Sequence, residues 1–127
     1  MDRIERGIQQ LDEMKGTNKD LIFSNLEDVA PDLVRLTIEF AYGDVLGRPG
    51  LDLKSRQFAT VAALTALGNA PLPLNAHINM ALNVGCSREE IVEIITQMAV
   101  YAGFPAALNG MAVAKEVFAE RDRNGTV

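Results

Sequence analysis

Apolar side chains recur at steps of three and four in one segment after another, and most segments end on glycine or proline. That spacing lays one apolar stripe along a helix, whereas a half-buried strand needs alternation at period two. No segment alternates convincingly, so the sequence predicts an all-α fold. The 127 residues leave room for one domain, not for two of ordinary size. A first helix is expected from about Asp2 to Lys15, with Ile4, Ile8 and Leu11 on its inner stripe and Gly16 ending it. Asn18 is placed to cap a short piece carrying Leu21, Ile22 and Leu26. Pro31 suits the first turn of a third helix, where the amide it lacks would have no intrahelical partner. Leu33, Leu36, Phe40 and Ala41 carry that helix to about Val45.

Gly47-Arg48-Pro49-Gly50 breaks the pattern and reads as a turn. Asp52 then has the place of an N-cap for an Ala-rich helix from Leu53 to Leu67, closed by Gly68. Asn69-Ala70-Pro71-Leu72-Pro73 links to the next helix, which can accept Pro73 only in its first turn. It carries Leu74, Ile78, Ala81 and Leu82 and stops near Gly85. Ser87-Arg88-Glu89-Glu90 has capping-box spacing before Ile91, Ile94, Ile95, Met98 and Ala102. Gly103-Phe104-Pro105 separates this helix from a last one holding Leu108, Met111, Ala112 and Phe118, expected to fray from Arg121 onward. Gly43 and Gly110 interrupt helical patterns, where glycine costs about 1 kcal/mol against alanine, and are expected to mark close helix contacts.

Composition narrows the functional classes. Hydrophobic residues make up 48% of the chain; counting in the ten glycines lifts the apolar share above the usual range of about 45–50%. Some of that apolar surface is expected to be hidden against another copy. A net charge of −5 opposes binding to a phosphate backbone, so no nucleic-acid partner is expected. The segment MDRIERGIQQ lacks the apolar core of a signal peptide, and no run of 18 apolar residues can span a membrane. With a single cysteine the chain has no internal disulfide, and the expected location is the cytoplasm.

Few side chains can carry chemistry. His77, the only histidine, shares or borders the buried stripe of its helix. It is either a hydrogen-bonded core group or an acid/base working near neutral pH. Cys86 precedes the capping Ser87: it is either a small apolar plug or a thiol activated by the helix N-terminus. Arg48 and Arg56 bracket the turn and can hold a carboxylate, unless they are solvated or paired with Asp44 or Asp52. Tyr42 and Tyr101 bring hydroxyls to apolar segments. Met80, Met98 and Met111 read as core filler. One His and one Cys cannot supply the usual ligand set, so no metal is expected.

These residues fall in five stretches that together resemble the carboxymuconolactone decarboxylase family, which also includes the alkylhydroperoxidase D-like proteins. The stretches are Phe40-Ala41-Tyr42-Gly43-Asp44-Val45, Arg48-Pro49-Gly50-Leu51, Ser55-Arg56, then His77-Ile78 with Ala81 to Ile91, and Ala99 to Ala107. They lie within about residues 33–118, and the helix at 2–15 fits the single-domain decarboxylase-like branch. The resemblance implies an all-helical subunit in a homo-oligomer, commonly a hexamer or trimer, with a pocket at a subunit interface. It further implies a cofactor-free lyase that decarboxylates a small carboxylated lactone from aromatic-acid breakdown.

In that reading His77 is the general acid/base, Arg48 and Arg56 hold carboxylates, and Tyr42 or Tyr101 orients the lactone. Two departures stand out: Leu72-Pro73-Leu74 where such decarboxylases carry an acidic stretch, and Gln97 where they tend to carry a second histidine. The hydroperoxidase branch uses a Cys-x-x-Cys pair, and the corresponding positions here are Ala70 and Pro73. A peroxidase would have to use Cys86 with an external thiol. The remaining alternative is an oligomer that binds a ligand and catalyses nothing.

Overall fold

Caps and breakers set where the helices start and stop. The computed structural model describes residues 1–15 and 26–127, and the described chain is helical with no strand. α1 spans Arg3–Lys15. α2 spans Pro31–Thr37, and its winding then loosens into a π-helical segment, Ile38–Leu46. α3 (Leu53–Leu67), α4 (Pro71–Asn83), α5 (Arg88–Ala102) and α6 (Phe104–Arg123) follow. Asp52 caps α3 by accepting from the Ser55 amide at 2.7 Å, and Gly68 closes it at φ 77°, a left-handed turn that suits glycine. Ser87 and Glu90 form the reciprocal capping box at 3.0 and 2.9 Å. Both Pro71 and Pro73 fall in the first turn of α4, so that helix begins earlier than its apolar spacing implies. The piece expected about Asn18 lies outside the described residues, Leu26 apart.

α4 is the helix around which the others are arranged, and it is buried on most of its circumference. Its Leu74, Ile78 and Ala81 pack with Val61 of α3, Ile91 and Ile95 of α5, and Val117 of α6. Its Ala76 and Met80 pack instead with Leu11 and Met14 of α1 and Tyr42 of the π segment. Ile78, Ile91 and Ile95 are completely buried, and each such side chain contributes about 1.5–3 kcal/mol by leaving water. The close approaches expected at glycine are present. A Cβ on Gly43 would stand 2.8 Å from the Arg3 carbonyl oxygen, and one on Gly110 would stand 2.8 Å from Thr65 Cγ2.

Three sequence expectations need correction. In α6 the buried residues are Ala107, Gly110, Val113, Ala114, Val117 and Arg121; Met111 and Phe118 pack against this core partly buried, as expected, while Leu108 is 66% exposed and Ala112 is exposed too. The helix turns its small side chains inward because they permit close packing. In α1, α2 and the π segment the expected inner residues Ile8, Leu33, Leu36 and Phe40 are exposed; Leu11 is buried as expected, joined by Gly7, Met14 and Val34. Wider winding then carries Tyr42 and Gly43 inward rather than Phe40. Finally, α6 does not fray at Arg121. That buried guanidinium donates to Asn79 Oδ1 at 3.0 Å, Asn83 Oδ1 at 3.2 Å and the Val127 carbonyl at 2.7 Å, which ties the tail to α4. No described helix is long and apolar enough to cross a membrane.

Candidate active site around His77

His77 lies on α4 where the two core groups meet, partly buried. Its Nδ1 is 3.1 Å from Oε1 of Gln57, a fully buried residue of α3. The other edge of that amide donates from Nε2 to Met14 Sδ at 3.1 Å. A thioether sulfur accepts and cannot donate, so the NH2 edge faces Met14 and the carbonyl edge faces His77. Nδ1 must then carry the proton, which leaves the lone pair on Nε2. Burial pushes the imidazole pKa down to about 4, because the charged form loses its water. The resting ring is therefore neutral, with one fixed tautomer.

The π segment supplies the wall of this site. The Tyr42 ring lies parallel to the imidazole at a centroid distance of 6.4 Å, and its hydroxyl meets Met80 Sδ at 3.7 Å. Burial raises the phenol pKa far above its ordinary value, so Tyr42 stays protonated and packs the ring in place.

The arginines meet, but not as a fork. Arg56 donates from Nε to the Leu51 carbonyl at 3.1 Å and from Nη2 to the Arg48 carbonyl at 3.0 Å. It braces the turn, one residue before Gln57. Arg48 projects from that turn as an exposed side chain. Neither arginine forms the ion pairs weighed from the sequence. Asp44 pairs with Arg3 at 2.7 Å, and Asp52 is occupied with its cap. Tyr101 is 77% exposed at the end of α5.

Cys86 sits elsewhere, in the core between α3, α4, α5 and α6, with Sγ 3.9 Å from the Lys54 carbonyl. Burial, aided by the Glu90 charge, pushes its thiol up to about 11, which outweighs the opposing pull of the Lys54 charge. At neutral pH it is a thiol, not a thiolate.

Sequence reasoning missed Gln57. The signal available was its place four residues before Val61 and eight before Thr65, the three buried residues of α3. A polar side chain on a buried stripe needs a partner, and here that partner is the histidine.

Fold and site together define an all-helical domain built round one histidine-bearing central helix. The chain belongs to the carboxymuconolactone decarboxylase family, whose profile matches residues 31–116. It is similar to the 4-carboxymuconolactone decarboxylase of Acinetobacter baylyi, at 35% identity over 119 residues covering 91% of this chain and 87% of that protein. It is also similar to an uncharacterised 15.0 kDa protein of Paracoccus denitrificans, at 34% identity covering 76% and 73% of the two chains. A third relative is the nitrosuccinic acid decarboxylase of Metarhizium robertsii, at 37% identity covering 64% of this chain and 56% of the relative.

Proposed function

We propose that the protein is a cofactor-independent decarboxylase of a small carboxylated lactone, of the 4-carboxymuconolactone type, with His77 as the proton-handling group. The observation that carries this reading is a neutral, single-tautomer imidazole on the central helix of a chain whose relatives include two named decarboxylases. In the reaction the bond between ring carbon and carboxylate breaks. Its electron pair passes into the conjugated lactone carbonyl, and carbon dioxide leaves. A proton must then reach carbon.

A ring with a pKa of about 4 is not a resting acid at neutral pH. It takes a proton on Nε2 from substrate or water, and as imidazolium gives it up readily. His77 thus works as a shuttle. Gln57 holds the ring through Nδ1, and Tyr42 packs it. Arg48 supplies the cation for the substrate carboxylate, while Arg56 keeps the turn in shape.

Large exposed apolar side chains, among them Phe40, Phe104 and Leu108, support a homo-oligomer, a trimer or hexamer. Tyr101 belongs to that surface, and the enzyme serves aromatic-acid breakdown in the cytoplasm. The test is carbon dioxide release from 4-carboxymuconolactone. Wild type should turn it over, and His77→Ala should lose about 10²–10⁴-fold in rate. Equal turnover by the variant would end the proposal, as would silence of the intact wild type with such lactones.

A further inference from the structure

Met14 is the penultimate residue of α1, where a backbone carbonyl has no amide of its own helix to accept from. Its carbonyl accepts instead from Asn83 Nδ2 of α4 at 2.9 Å, while its sulfur accepts from Gln57 Nε2 of α3 at 3.1 Å. Two amides from different helices thus hold one completely buried residue, the first by its backbone and the second by its side chain.

The Asn83 amide has a single orientation for the same kind of reason as the Gln57 amide. A guanidinium can only donate, and Arg121 Nη2 donates to Asn83 Oδ1 at 3.2 Å. The NH2 edge is left to face Met14. Arg121 is 5% exposed and also donates from Nη1 to Asn79 Oδ1 at 3.0 Å, so its planar fork is fixed on two side chains of α4. A chain of hydrogen bonds therefore runs from Arg121 through Asn83 and Met14 to Gln57 and the imidazole Nδ1. It joins α6, α4, α1 and α3.

We infer that Asn83, oriented by Arg121, is a positioning residue for His77. By gripping the Met14 carbonyl it keeps the Met14 sulfur against the Gln57 amide. Without that acceptor the amide is free to turn over, present its NH2 edge to Nδ1 and drive the proton to Nε2. The lone pair is then lost from the nitrogen that handles the substrate proton. Control of the tautomer stands on the hydrogen bonds alone, whereas its use in catalysis rests on the decarboxylase reading.

Asn79 supplies a matched control. It shares the Arg121 fork and lies nearer to His77 along α4, yet its Nδ2 donates to the Asn75 carbonyl at 3.2 Å and not to Met14. The test compares Asn83→Asp with Asn79→Asp in ¹⁵N spectra of the single histidine. Both variants keep an oxygen for Arg121 and add the same charge to α4, but only Asn83→Asp removes the donor to Met14. It should show a ring partly protonated at Nε2, as should Met14→Leu, which removes the sulfur. Asn79→Asp should keep the wild-type tautomer even where urea melts show it destabilised. With 4-carboxymuconolactone, Asn83→Asp should lower kcat by up to about 10²-fold and leave KM unchanged. Asn83→Ala, with the same expectation, takes its place if melts show that Asn83→Asp does not fold. A wild-type tautomer in the Asn83 variant or in Met14→Leu, or the same change in Asn79→Asp, would overturn the inference. Silence of the wild type with the lactone would end the decarboxylase reading alone, since the spectra are read without substrate.

Discussion

The imidazole of His77 is the group on which the functional account turns, and its environment couples folding to pH. The unfolded chain binds a proton at His77 near its ordinary pKa of 6.5, whereas the folded chain binds it only near 4. Between those values the unfolded state holds more protons, so stability falls as pH drops through this window and is fully present above it. A shift of that size corresponds to at most about 3 kcal/mol. Urea denaturation at pH 7 and at pH 4.5 should show this loss for the wild type and a smaller one for His77→Ala. Equal pH dependence in the two proteins would mean that the ring is well solvated in the fold. The sequence marked His77 for attention but could not choose between core group and acid/base. That choice depends on Gln57 and Met14, 20 and 63 residues away, whose amide and sulfur set the tautomer.

Among elements, those delimited by local chemistry were legible and those set by packing were not. Asp52 and Gly68 bound α3 at the residues the caps indicate, and Ser87 with Glu90 starts α5 likewise. Such signals act within a few residues, so they need no tertiary context. The inner face of α6 was legible only in part: Met111 and Phe118 do pack on the core, but Leu108 does not, and Ala107, Gly110 and Ala114 are inside for being small. The π-helical winding of Ile38–Leu46 left no mark in apolar spacing, although it turns Tyr42 toward His77. Glycine packing makes a direct prediction at this scale. Gly43→Ala would put a methyl group 2.8 Å from the Arg3 carbonyl oxygen, backbone that cannot rotate away, and should cost about 1–3 kcal/mol in urea melts. Gly50→Ala meets nothing within 4 Å and should be near neutral or slightly stabilising. Similar losses in both would show that α1 and the π segment separate at little cost.

For the whole molecule, the main feature is how much apolar surface a single chain leaves in water. Phe40 is 62% exposed, Phe104 73% and Leu108 66%, side chains of the size that usually fill a core. The sequence carried this as an apolar surplus without saying where it lies. The expected consequence is self-association. Sedimentation of the wild type should give a species of several chains, and Phe104→Asp combined with Leu108→Asp should shift it toward the monomer with helicity retained. A monomeric wild type at working concentration would remove the proposed subunit interface, and with it the place given to Tyr101.

The most direct test of the central claim, a neutral imidazole with its free lone pair on Nε2, uses the fact that the chain has only one histidine. With ¹⁵N-labelled histidine, the folded protein should show a single neutral ring protonated at Nδ1, unchanged from pH 7.5 down to about pH 5, near its pKa of about 4. An imidazolium at pH 6.5, or a ring protonated at Nε2, would contradict the account.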